Sequence, residues 1–320
     1  MKNKNSDAII ILCSQLCKGE NIKPFTDSEW SRFASNIMDK GLTPSDIVNM
    51  NLDELKLHFN DVEARRIYNL IGRSGSIVFE LMKLKERGIN IVTRADQDYP
   101  SFLKEKMGKK CPPLLYYIGD LKLCGNKTIG IVGSRSIGAP EENFTKKLVE
   151  KLVTHGYSIV SGGAKGVDSL STNTAIALGG SAIEFVSDSM LTKIKKKEVI
   201  DALMNGRLLI ISFAKPDLRF TVAMAMARNK YIYMQSEGTV VIKSDYNKGG
   251  TWSGATEALK KGYCPVFCRK DEKCSGNNEL IRLGAIPIDE KWDCNLITSQ
   301  SEELLEGNQP MGQINLFKGL

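Results

Sequence analysis

The chain has 320 residues, 42% of them hydrophobic, and carries 44 Lys and Arg against 37 Asp and Glu for a formal net charge of +7. This length exceeds one domain of roughly 100 to 200 residues and the apolar content is ample for a core, which excludes a disordered or fibrous chain and predicts two domains. The mild basic excess permits a nucleic-acid partner without demanding one.

Eight scattered cysteines with no CxxC pair point to reduced thiols, not a disulfide scaffold. Cys264, Cys268 and Cys274 lack the paired spacing and fourth ligand of a structural zinc site, so neither a metal nor a cofactor is expected. The apolar run Ala8 to Cys13 is too short for the core of a secretion signal, and no stretch approaches the ~20 apolar residues of a membrane span. The expected location is the cytoplasm.

In chain order, residues 1–90 read as short helices with 3.6-residue periodicity, a small SAM-like or helix-hairpin domain. Thr26 and Glu29 have capping-box spacing before Trp30 and Phe33, and Thr43, Pro44 and Asp46 mark a second helix start. Gly72 and Gly75 interrupt the last helical stretch. Residues 91–125 form a connecting segment with strand-like runs at Ile89 to Thr93 and Leu114 to Ile118, and Tyr99-Pro100 opens a helix between them.

From 126 to 290 apolar strand-like runs alternate with amphipathic helical segments. Strands are expected at Thr128 to Val132, Tyr157 to Val160, Ala182 to Val186, Leu208 to Phe213, Thr239 to Ile242 and Pro265 to Cys268. The helices between them are expected at Glu141 to Thr154, Val167 to Leu178, Leu191 to Asn205, Leu218 to Arg228 and Trp252 to Lys261. This alternation predicts an α/β fold, a doubly wound Rossmann-like parallel sheet behind a small helical N-terminal domain. Residues 291–320 read as a tail.

Sheets of this kind bind ligands beyond the carboxyl ends of their strands, and three loops there are rich in glycine. They are Gly133-Ser134-Arg135-Ser136-Ile137-Gly138, Ser161-Gly162-Gly163-Ala164-Lys165-Gly166 and Lys248-Gly249-Gly250-Thr251. Glycine lets backbone N–H groups turn toward an anion, and a following helix adds positive potential. Each loop also carries a cation, Arg135, Lys165 or Lys248. The first loop is not a Walker A motif, since Ala139-Pro140 follows Gly138, and it lacks the GxGxxG spacing of a dinucleotide site. Only His58 and His155 are present, both outside the loops, which argues against a histidine base.

The segments Ile129 to Arg135 and Ile159 to Asp168 resemble the paired core signature of the DprA/Smf DNA-processing proteins, within the SLOG Rossmann-like superfamily. Ala227-Arg228-Asn229-Lys230 resembles their Arg-Asn segment, Gly276 to Ala285 their closing Gly-Asn and Gly-Ala elements, and Tyr99-Pro100 and Pro113 to Tyr116 also fit. The likeness covers about residues 99 to 288. It departs at Thr172, where a His is usual, in the lengthened spacing from Phe220 to Arg228, and in Gly249 to Ala255.

The resemblance implies a non-catalytic protein that binds and protects single-stranded DNA, delivers it to the RecA recombinase in recombination or transformation, and forms a homodimer. The phosphate-binding residues expected from the resemblance are Gly133, Ser134, Arg135, Ser161, Gly162, Gly163 and Lys165, with Arg228 and Asn229 of the Arg-Asn segment, and the third glycine loop adds Gly249, Gly250 and Thr251. Lys248 and Arg219 are further cations, and Phe220 is either a base-stacking ring or a core residue. Asp168, at a helix start, reads as a cap. Two alternatives stay open: a LOG-like nucleotide phosphoribohydrolase using Arg228 and Glu257, and a non-catalytic nucleotide sensor. In the tail, Gln313, Leu316 and Phe317 resemble the short motif that docks onto the replication sliding clamp; a terminal apolar anchor is the alternative.

Overall fold

The computed structural model describes residues 3–17, 22–294 and 297. The chain folds as two units, Met1–Gly125 with Val186–Met224, and Asn126–Phe185 with Ala225–Leu320. It therefore leaves the second unit after Phe185 and returns at Ala225.

The first unit begins with six helices, α1 (Lys4–Cys13), α2 (Asp27–Asp39), α3 (Pro44–Val48), α4 (Leu52–His58), α5 (Asp61–Gly72) and α6 (Ser74–Glu86). The predicted capping boxes at Thr26/Glu29 and Thr43/Asp46 start α2 and α3, and each satisfies backbone donors that the first turn leaves open. Phe25, Phe33 and Phe59 stack in series, with ring centroids 4.8 and 5.5 Å apart. After β1 (Asn90–Thr93), α7 (Ser101–Met107) and β2 (Leu114–Ile118), β1 and β2 pair antiparallel, Asn90 opposite Tyr117.

The second unit opens with β3 (Thr128–Val132), α8 (Ala139–Thr154), β4 (Ser158–Ser161), α9 (Val167–Ala177) and β5 (Ala182–Phe185). The chain then adds α10 (Met190–Lys193), α11 (Lys197–Met204) and β6 (Leu208–Ser212) to the first unit, where β6 pairs antiparallel with β2. It continues through α12 (Val222–Gln235), β7 (Gly238–Val241), α13 (Gly249–Lys261), β8 (Val266–Arg269), α14 (Ser275–Arg282) and β9 (Ile286–Ile288).

Within the second unit the strands lie in the order β5-β4-β3-β7-β8-β9, all parallel. Counted by appearance in that unit, this is the 3-2-1-4-5-6 order of a Rossmann sheet. Right-handed crossovers place α8 and α9 on one face and α13 and α14 on the other, because the direction of strand addition reverses at β3. Phe144, Leu148, Val149 and Leu152 of α8 pack with Ile129, Ile131, Ile159, Val240 and Phe267 into one buried core. Burial on both faces explains why these strands read as continuous apolar runs.

Three expectations need correction. The helix expected at Leu218 to Arg228 starts at Val222 and continues to Gln235, where Tyr231 to Met234 are buried although aromatic and β-branched residues are weak helix formers. The stretch Leu191 to Asn205 divides into α10 and α11. The strand β9 is absent from the expected set, since Pro287 interrupts its pattern; an edge position tolerates the missing donor.

The Gly276-Asn277 pair has a clear structural role. A side chain at Gly276 would run into the Ser244 carbonyl. Asn277 is fully buried: its Oδ1 accepts from Ser244 N at 2.8 Å, and its Nδ2 donates to Ile242 O and Arg269 O at 3.1 and 2.8 Å. One amide thus joins the carboxyl ends of β7 and β8. Asn277→Ala would strand the buried Ser244 N–H and two carbonyls, and is expected to cost about 3 kcal/mol of unfolding free energy. Urea titration of the full chain measures it, and a loss below about 1 kcal/mol would mean that the bridge is dispensable.

Candidate functional site

The strands β4, β3 and β7 are adjacent and parallel, so the three glycine loops that follow them leave the sheet side by side. The direction reversal between β3 and β7 is the position where sheets of this type open a ligand crevice. The amino ends of α8, α9 and α13 begin at these loops. Their first N–H groups lack intrahelical acceptors, which favours an anion there.

The first two loops are interlocked. Gly133 lies against Val167, where an added Cβ would come within 2.5 Å of a Val167 methyl. The Val167 N–H donates to the Ser134 carbonyl at 3.3 Å, and Ser134 N donates to Lys243 O at 3.0 Å. Gly166, with φ +82°, passes so close to Ser134 and Arg135 that no side chain fits. Arg135 and Lys165 are exposed. Ser161 is buried, and its hydroxyl donates to Ile131 O at 2.7 Å, tying β4 to β3. Gly163 also has positive φ, +63°.

Beneath the second and third loops runs α12. Its Arg228 is 4% exposed, and the guanidinium occupies the space that a Gly162 side chain would need. Arg228 Nη1 stands 3.9 Å from the Asp168 carboxylate, which is itself 7% exposed. The next residue, Asn229, donates from Nδ2 to Gly250 O at 2.9 Å. Consecutive helix positions diverge by about 100°, so this Arg-Asn pair reaches two different loops from one helix. Arg228 and Asn229 hold loops in place from the core side; Lys248, the N-cap of α13, is exposed, followed by Gly249 at φ +77° and the half-buried Thr251.

Glu141 and Lys243 extend this framework and did not stand out as site residues in the sequence. Glu141 accepts from Gly138 N at 2.7 Å, closing the first loop, and lies 3.5 Å from Lys243 and 3.7 Å from Arg269. Burial raises its pKa, but the Gly138 N–H and the two cations outweigh that and keep the carboxyl below its ordinary value. Glu141 supplies only the carboxylate half of a capping box, since the Gly138 N-cap has no side chain, and such local spacing says nothing about β7 or β8.

Glu257 has other partners. It accepts from Lys261 Nζ at 2.6 Å and Tyr263 Oη at 3.0 Å. Burial pushes its carboxyl up, and these hydrogen bonds overcome the effect, leaving it below the ordinary carboxylate range. Such a group stays ionised near neutral pH and is a poor proton donor.

Arg219 and Phe220 belong to the first unit, Arg219 exposed and Phe220 46% exposed, so the core alternative for this ring does not hold. Gln313, Leu316 and Phe317 lie outside the described residues. Among the described residues no group of three or more His, Cys, Asp and Glu is placed to hold a metal ion, and no helix is long and apolar enough to cross a membrane.

DNA processing protein DprA of Bacillus subtilis is 28% identical over 235 residues, covering 71% of this chain and 75% of that protein. The structure of DNA processing protein A from Streptococcus pneumoniae superposes with a TM-score of 0.67 at 20% identity over 96% of this chain and 99% of that one, which supports the fold. DNA processing protein A from Helicobacter pylori, a structure concerned with that protein's single-stranded DNA binding mode, superposes with a TM-score of 0.52 at 25% identity over 68% of this chain and 96% of that one. The family model for DNA recombination-mediator protein A matches residues 90–296, which contain all three glycine loops and the Arg-Asn pair beneath them, and the chain belongs to that family.

Proposed function

We propose that this protein binds single-stranded DNA along the three adjacent glycine loops, protects it, and delivers it to the RecA recombinase as a homodimer without itself catalysing a reaction. The observation that carries this reading is the side-by-side exit of three helix-starting glycine loops, each with an exposed cation, from neighbouring parallel strands. A single phosphate needs one such loop; a row of them suits a polyanion. Family membership and the DNA-binding relative from H. pylori support the same assignment.

In this reading the Gly133, Ser134, Gly162, Gly163, Gly249, Gly250 and Thr251 backbones cradle phosphates, while Arg135, Lys165 and Lys248 supply charge. Ser161, Arg228 and Asn229 act beneath the surface by fixing loop shape. Arg219 and Phe220 are assigned to single-stranded DNA as a further cation and a stacking ring. Through its tail, Gln313, Leu316 and Phe317 engage the sliding clamp.

Fluorescence anisotropy with a labelled oligothymidylate tests the main assignment. Arg135→Ala is expected to weaken binding about tenfold, as loss of one charge-assisted phosphate contact, and to reduce the salt slope by roughly 0.7. Incubation of the same preparation with adenosine monophosphate separates the hydrolase reading. Base release abolished by Glu257→Gln, with no oligonucleotide binding, would replace the present proposal.

Gly162→Ala places a methyl group where the Arg228 guanidinium sits, so loop or arginine must move. Oligonucleotide affinity is expected to fall about tenfold or more although no charge is removed. An unchanged dissociation constant would take the second loop out of the site.

Pull-down by the full chain and by a variant lacking residues 313–317 tests the partners. Retention of RecA with loss of the clamp is the expected pattern. Clamp capture by the truncated chain would assign the tail another role.

A further inference from the structure

Two aromatic rings flank the third glycine loop. Tyr246 lies in the turn after β7, closed by Lys248 N donating to Asp245 O at 3.3 Å, and Trp252 lies in the first turn of α13. Their ring centroids are 5.1 Å apart at 77°, an edge-to-face pair. Such a pair leaves ring faces uncovered by the partner ring.

Tyr246 is 54% exposed, and among the described Phe, Trp and Tyr residues of the second unit it alone is exposed, the others being buried or half-buried. Holding a tyrosine in water at a loop costs hydrophobic free energy that burial would recover. The backbone around it is tightly specified: Asn247 adopts left-handed φ of +53° and Gly249 +77°. Exposed Lys248 separates the ring from the glycines along the chain.

We infer that Tyr246, braced by Trp252, is a stacking platform for an unpaired nucleobase whose phosphate rests on the Gly249–Thr251 backbone. The inference rests on the proposed DNA-binding role of the loops and adds a base contact at the third loop to the one assigned to Phe220. A π face accepts any base, so the platform selects unpaired bases over paired ones without selecting sequence. In a duplex the base faces are covered by their neighbours and cannot reach the ring. Exposed Lys248, two residues on, supplies positive charge for a phosphate that flanks a stacked base.

The alternative role for the pair is a staple that fixes the entry of the chain into α13. Binding to two polymers of about 20 units separates the roles: labelled oligothymidylate and a deoxyribose-phosphate chain without bases. The intact protein is expected to prefer the thymidylate. Tyr246→Ala and Tyr246→Leu should each lower thymidylate affinity about tenfold and leave the baseless chain unaffected, while Tyr246→Phe keeps the preference. Leucine preserves apolar contact with Trp252, so a loss with leucine isolates the π face from the staple.

Equal losses on both polymers, or full thymidylate binding by Tyr246→Leu, would overturn the inference. If the intact protein holds both equally well, stacking fails and the phosphate reading stands. If it holds neither, the phosphate reading fails and the platform falls with it.

Discussion

At Gly162 the main chain passes over the buried Arg228 guanidinium so closely that a single methyl group would not fit between them. The guanidinium is held in place by the surrounding core and faces the Asp168 carboxylate at 3.9 Å. Both groups are buried, so removing either one would leave an uncompensated buried charge, a change that costs about 3–5 kcal/mol. The second loop is thus packed directly on a charge inside the protein, which fixes its backbone without a ligand. Preorganisation of this type spares the ordering cost that a flexible glycine loop would otherwise incur on binding.

The same rim divides its cations into two groups. Arg228 lies near Asp168, and Lys243 and Arg269 lie near Glu141, contacts between segments remote in sequence; Arg269 also lies near Asp271, two residues on. Arg135, Lys165 and Lys248 sit exposed at the loops. A formal charge of +7 spread over 320 residues is a weak indicator of function. Its value lies in where the exposed charges stand relative to helix amino ends, since potentials from these sources add only where they converge.

Several family signature residues acquire physical roles in this frame. The Arg-Asn pair supports two loops from one helix, and the closing Gly-Asn pair lets α14 approach the β7 end and then joins it to β8. At Thr172, where the family usually has a histidine, the hydroxyl bonds Glu184 Oε1 at 2.9 Å, both residues being buried. The departure from the family pattern is thus accommodated by a buried polar contact between α9 and β5.

Apolar runs, most of them bounded by glycine or polar residues, were enough to locate β3 to β8 but not β9, because a strand buried on both faces has no polar face to disguise it. Capping-box spacing located α2 and α3, since those hydrogen bonds close within four residues. The glycine loops and their cations were legible for the same local reason. The extent of α12 was not, because Tyr231 to Met234 become helical through burial and against their own preference. Nor could spacing along the chain reveal that Arg228 lies under Gly162, that Glu141 meets Lys243 and Arg269, or that Tyr246 stands against Trp252. Sequence by itself determined the alternation of elements, the starts of helices and the loops with freedom to bind an anion, all of which depend on neighbours a few residues away. Tertiary structure alone decided which cations face the core and which face water, because burial is set by packing between segments dozens of residues apart.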